Sequence, residues 1–204
     1  SMNLTNFNDT SPHIAFEETR KQARKRGVRV TGSELIGLVP LESIISAGKY
    51  YLKEQKRSTG VPIKDIINIA IKSMGLDDLS PFIPKDKIIE YKISKSFRKL
   101  ASMSICNFSD ELSSESPAPG GGSVSALAGV LGASLSSMVA NLTFGKKKWQ
   151  PLYNKMCIIS ENSQELKDKL IQLIDKDTDS FNLVMHAYKL PKKNLKDIRI
   201  RENA

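Results

Sequence analysis

Two features of this sequence could do chemistry. The first is the run Gly120-Gly121-Gly122-Ser123, which follows Ser116-Pro117-Ala118-Pro119 and precedes a long series of helix formers. Three glycines let backbone approach a ligand closely, and Ser123 can cap the helix that follows. The free N–H groups and dipole of such a terminus favour an anionic or carbonyl-bearing ligand. The second feature is Asp177. The apolar stripe Leu166, Leu170, Leu173, Ile174, Phe181, Val184, Met185 continues in steps of three and four only through position 177. That carboxylate is therefore expected on a buried face, with Asp175 and Asp179 turned to water. A carboxylate facing a bundle interior is costly unless it is paired or used. It suits either a general acid–base or a structural acid paired across an interface.

The elements that must hold these residues follow from spacing. No charged residue occurs from Ser116 to Gly145, and a helix is expected over most of that run, to about Phe144. Gly122, Ala126, Gly129, Ala133, Ser136 and Ala140 give it one small face, opposite Leu127, Leu131, Leu135, Met138 and Leu142. Apolar length and small-residue spacing also fit a membrane span. Ser125, Ser134, Ser136, Ser137, Asn141 and Thr143 make it too polar for one, so a buried bundle helix is expected. Beyond the basic break Gly145-Lys146-Lys147-Lys148, a long helix should run from about Pro151 to Tyr188 and end before Pro191. Upstream, Phe97, Leu100, Ala101, Ile105, Phe108 and Leu112 read as one amphipathic helix.

Residues 3 to 93 have a mixed texture. Asn3–Phe7 reads as an edge strand, and Ser11-Pro12 opens a helix that Gly27 stops. Val28–Val30 reads as a short strand, Pro40 restarts a helix carrying Leu41, Ile44, Ile45 and Leu52, and Pro62–Gly75 forms another. Ile88–Ile93 reads as a final strand. So few strands make a poor sheet alone, which suggests missing partners. The fold class expected is α+β, mostly α. A small α/β N-terminal piece, residues 1–93, precedes an all-α helical bundle piece, residues 94–204.

Composition narrows the function classes. Among 204 residues, 31 Lys+Arg against 22 Asp+Glu give a formal charge of +9. The densest basic group, Arg20, Lys21, Arg24, Lys25, Arg26 and Arg29, lies on an expected surface helix without interleaved aromatics. A solvated helix face is favoured over a nucleic-acid surface. Cys106 and Cys157 have no metal-ligand spacing, and the sequence has only 2 His. No metal site is expected, and the cysteines read as buried free thiols of a reducing compartment, hence a cytoplasmic location. No signal or transit segment is evident, and Ser1-Met2 reads as a cloning scar or an upstream cut.

SPAPGGGSVSALAGVLGASLSSMVANLTFGKKK resembles the signature of the cyclodeaminase/cyclohydrolase domain. TGSELIGLVP, residues 31–40, resembles the end region of glutamate formiminotransferase. Both occur in this order in the formiminotransferase-cyclodeaminase family, bifunctional folate enzymes of histidine breakdown, and the resemblance covers nearly the whole chain. It implies formimino transfer from formiminoglutamate to tetrahydrofolate, then ring closure to 5,10-methenyltetrahydrofolate with release of ammonia. It also implies polyglutamylated folates as natural carriers, a homo-oligomeric ring, and neither nucleic acid nor a membrane span. Asp177, in the segment IDKD, matches the family's catalytic acid and would act as proton acceptor and donor. Gly120, Gly121, Gly122 and Ser123 would line the folate site, and Lys146 and Lys147 would hold folate carboxylates or steer the pKa of the acid, unless they are simply a solvated helix end. The family's catalytic transferase histidine has no match here. His13 reads as a helix-start residue, and both ends of the chain read as cuts. A methenyltetrahydrofolate cyclohydrolase shares the glycine loop, although TGSELIGLVP argues against it. A truncated folate-binding or oligomerisation module is the alternative outside the enzymes.

Overall fold

The computed structural model describes residues 2–93 and 99–192, with 199 and 201. The described residues are mostly helical, and no strand occurs among them. The chain forms two compact units: Ser1–Lys95 with Ser137–Glu161, and Ser96–Ser136 with Asn162–Ala204. The first unit thus draws residues from both sides of the boundary expected near 94.

In the first unit, α1 (Pro12–Lys25), α2 (Leu41–Glu54) and α3 (Ile63–Met74) are the main helices. Pro12 opens α1, where its missing N–H costs nothing. Gly27, at φ +72, closes it: the N–H of Val28 reaches the Ala23 carbonyl and that of Gly27 the Arg24 carbonyl. Ile44, Ala47 and Tyr51 of α2 pack with Ile67, Ala70, Ile71 and Met74 of α3, and Val39, Phe82 and Ile88 complete this core. Each large aliphatic side chain so buried contributes about 1.5–3 kcal/mol. Gly48 is required at the crossing, because a Cβ there would strike the backbone and side chain of Ile66.

The α/β character expected of this piece is not found. Asn3–Phe7 is irregular and runs into a turn, Val28–Val30 is irregular, and Ile89–Ile93 forms a short helix, α5, just after α4 (Pro84–Lys87). Residues with strand propensity need a neighbour to pair with. The sole pairing among the described residues is an isolated parallel bridge between Val39 and Ile88. There the Val39 N–H donates to Lys87 O at 2.9 Å and the Ile89 N–H to Val39 O at 3.1 Å. The TGSELIGLVP segment serves the helices instead. Ser33 donates its N–H to Gly75 O and its hydroxyl to Met74 O, at 3.2 and 2.8 Å, closing the end of α3.

The second unit centres on α6 (Ile105–Leu112), the first part of α7 (Gly121–Phe144) and the later part of α8 (Tyr153–Lys189). Leu100, Phe108, Ala126 and Ile174 are its buried apolar cluster, with Met103, Leu127 and Val130 against it. The helix expected from Phe97 starts only at Ile105, because the Ser104 hydroxyl accepts the Asn107 N–H as an N-cap. Phe97 lies outside the described residues. Ile105 and Leu112 are exposed, so among the described residues of that stripe only Leu100 and Phe108 are buried.

The faces of α7 are sorted by size. Ser123, Ala126, Ala133, Ser137 and Ala140 are buried, while Leu131, Leu135, Met138, Val139 and Leu142 are exposed. By length and composition alone α7 could cross a bilayer; its buried side is tied to protein by the hydrogen bonds of Ser123, Ser137 and Asn141.

Candidate functional site

The site lies in the second unit, where the first turn of α7 meets α8. Ser123 is fully buried. Its N–H donates to Asp177 Oδ2 at 2.9 Å, and its Oγ lies 2.8 Å from Ile174 O, 3.2 Å from Asp177 Oδ2 and 3.2 Å from Thr178 Oγ1. A hydroxyl has one proton to give. With the Ile174 carbonyl as its closest acceptor, the Asp177 carboxylate is held chiefly by the backbone N–H, and Thr178 is free to donate to Ser123.

Gly122 explains itself at this point. A Cβ there would collide with the Asp177 carboxylate, whose Oδ2 would stand 2.6 Å away. The glycine is needed because the acid occupies the space of its side chain. Gly121 has nothing within 4 Å of a would-be Cβ, and Gly120 only the Pro117 carbonyl at 3.9 Å, so these two border open space. The N–H groups of Gly121 and Gly122, at the start of α7, have no intrahelical acceptor by helix geometry.

Two expectations about the acids are corrected. Asp177 is exposed rather than buried, and Asp175 is part-buried rather than turned to water. The inward track of α8 passes from Ile174 to Thr178 instead of through 177, since a step of four after 174 is as good as a step of three. Asp177 is left on the flank, where it reaches the α7 terminus. Asp175 accepts the N–H groups of Leu100 and Ala101 at 2.7 and 3.3 Å, fixing the turn that leads to α6. Nothing in the apolar spacing marks that role; the signal was three alternate acids on one helix, which must point in different directions.

Oδ1 of Asp177 receives no hydrogen bond from the described residues, although Oδ2 is anchored. An exposed carboxylate with one oxygen fixed and the other without a hydrogen bond is suited to exchanging a proton with a bound molecule. Lys146 and Lys147 are placed differently. They follow the C-terminal end of α7, belong to the first unit and are exposed. The structure therefore brings Gly122, Ser123 and Asp177 together, with Gly120 and Gly121 beside them, all within the second unit. Cys106 is exposed and Cys157 half-buried, so neither is the buried thiol expected. No cluster of three metal-ligating side chains occurs among the described residues.

Comparison with known proteins gives two family matches. Residues 1–94 match the family described as Formiminotransferase domain, and residues 104–204 the family described as Formiminotransferase-cyclodeaminase. A protein of Dictyostelium discoideum named formimidoyltransferase-cyclodeaminase is 42% identical over 204 residues, which is 98% of this chain and 38% of that protein. The mouse protein of the same name is 37% identical over 94% of this chain and 36% of its own length. A Methylorubrum extorquens protein named methenyltetrahydrofolate cyclohydrolase is 45% identical over 85 residues, 42% of this chain and 41% of that protein. The chain spans less than two fifths of the length of the two relatives that it matches nearly end to end.

Proposed function

Because the chain belongs to the formiminotransferase-cyclodeaminase family, we propose that it contributes to folate-dependent one-carbon transfer in histidine degradation. Its second unit would carry a cyclodeaminase site. The observation that supports this is the exposed carboxylate of Asp177, which accepts the Ser123 N–H through Oδ2 and packs on Gly122 at the glycine-rich start of α7.

The chemistry follows from the proton balance. N10 of 5-formiminotetrahydrofolate attacks the carbon of the protonated formimino group, –CH=NH2+, and loses its proton, leaving an amino group on a tetrahedral carbon. The bond from that carbon to the terminal nitrogen then breaks, and the leaving nitrogen takes a proton and departs as ammonia, giving 5,10-methenyltetrahydrofolate. Asp177 accepts the first proton and returns it to the leaving group. The N–H groups of Gly121 and Gly122 face a folate carbonyl or carboxylate. Ser123 is a positioning residue in this reading, since it is fully buried and its polar groups are engaged by α8.

The residues matching the transferase family would form part of that enzyme's C-terminal subdomain, acting on formiminoglutamate and tetrahydrofolate. The Val39–Ile88 bridge would then be the edge of a small sheet whose other strands lie outside this chain. The full assembly would be homo-oligomeric and use polyglutamylated folates, with Lys146 and Lys147 available to carboxylates. Two free cysteines support a cytoplasmic setting. The Methylorubrum relative supports a second reading, hydration of the methenyl bridge at the same site.

The test is turnover of 5-formiminotetrahydrofolate by the enzyme carrying this chain, followed by methenyl absorbance and ammonia release. Asp177→Asn should lower kcat by about a hundredfold or more, the scale of a lost general acid–base. Full turnover in that variant overturns the assignment. Methenyl hydrolysis without ammonia release favours the cyclohydrolase reading.

A further inference from the structure

The proposed folate site uses none of the basic residues at the end of α1, yet these converge on a cleft of their own. In the first unit, a cleft of about 430 Å³ is lined by Phe16, Arg20, Arg24, Arg29, Thr31 and Ser73, among others. Arg20 and Arg24 stand one turn apart on the same face of α1. Arg29 joins them because the left-handed Gly27 turns the chain back after α1. Three arginines therefore border one concavity, and among the described residues only Arg20 of the three has an ion-pair partner. Its Nη1 lies 2.8 Å from Glu17 Oε1, and that oxygen also accepts the Tyr51 hydroxyl at 3.0 Å. No carboxylate among the described residues lies within ion-pair reach of Arg24 or Arg29.

We infer that this cleft binds a small organic polyanion, through phosphate or carboxylate groups paired with Arg24 and Arg29. Unneutralised guanidinium groups around one space repel each other, and each presents a planar fork of donors matched to either kind of oxyanion. The Thr31 and Ser73 hydroxyls add neutral donors on the wall. The ring of Phe16, with the Arg20 guanidinium 5.8 Å over its centroid, gives the cleft an apolar side. The volume is that of a small-molecule site rather than of a bare ion. At least two ionised groups are required of the ligand, one for each unpaired arginine. The inference uses no residue of the Asp177 site, and its residues lie in the part that matches the transferase domain.

The experiment is calorimetric titration of the 204-residue chain with pyrophosphate and, separately, with citrate. Saturable binding of either is expected, and the tighter of the two identifies phosphate or carboxylate as the preferred group. Arg24→Ala and Arg29→Ala should each weaken it roughly tenfold, the loss of one charge-assisted hydrogen bond. Lys25→Ala, on the same helix but outside the cleft lining, should leave it unchanged. Arg24 and Arg29 are exposed, so their truncation leaves the fold intact, and circular dichroism verifies this. Absence of saturable binding of both anions overturns the proposal, as does an equal loss in Lys25→Ala. Tighter binding of duplex RNA through the same arginines overturns it in favour of a nucleic-acid surface.

Discussion

At the scale of single residues, the site is a contest for space between Gly122 and Asp177, refereed by Ser123. The buried Ser123 presents its N–H to the carboxylate while its hydroxyl ties the same turn to α8. Ser123→Ala keeps the N–H and removes the hydroxyl. We expect kcat for cyclodeamination to fall roughly fivefold with KM nearly constant, the loss of about 1 kcal/mol of positioning. A rise in KM with kcat unchanged would instead make Ser123 a direct folate contact. Asp177 was legible in the sequence, though for a reason the structure revises. The break in an apolar stripe drew attention to it, and it lies on the flank of that stripe instead of within it. The anchoring by Ser123 was not legible, because a serine after three glycines reads equally as a helix cap or as a ligand contact.

At the scale of elements, helix positions were readable wherever a proline or glycine punctuated a clean period, as at Pro12, Pro40 and Gly75. Strands were not, since their stability lies in partners that spacing cannot supply. Size sorting on α7 was legible from the spacing of its small residues, and the structure adds that the small face is the buried one, with Ser137 rather than Ser136 on it. The loop Ser58–Gly60 illustrates contacts that local sequence hides. Ser58 Oγ meets Ser160 Oγ at 3.1 Å, Thr59 donates to Glu161 at 2.7 Å, and Gly60 O accepts from Asn141 at 2.8 Å. A Cβ on Gly60 would strike the side chain of Ser160. Gly60→Ala should therefore destabilise the first unit by about 1–3 kcal/mol, as overpacking does, measured by urea denaturation. An unchanged midpoint would mean that the loop can move aside.

At the scale of the whole molecule, one buried histidine gives stability a pH dependence. His13 is stacked on Tyr50 at 4.6 Å, meets Tyr51 edge-on, and shares a 2.8 Å hydrogen bond with Ser11. Burial lowers its pKa below the usual 6.5, and nearby Glu17 opposes that only in part. The folded state thus resists a proton that the unfolded chain accepts. Stability from this residue is whole above pH 6.5 and is lost as pH falls below it toward the depressed folded value. Denaturant midpoints at neutral and mildly acid pH should differ less in His13→Gln than in the parent; an identical difference would discharge His13 of the effect. The two family matches meet between residues 94 and 104, yet Ser137–Glu161 from the second match builds part of the first unit. For gene architecture this makes the junction a poor place for fission. Two shorter genes divided there would each inherit a torn surface, one with Ser58–Gly60 and the other with their hydrogen-bond partners on α7 and α8.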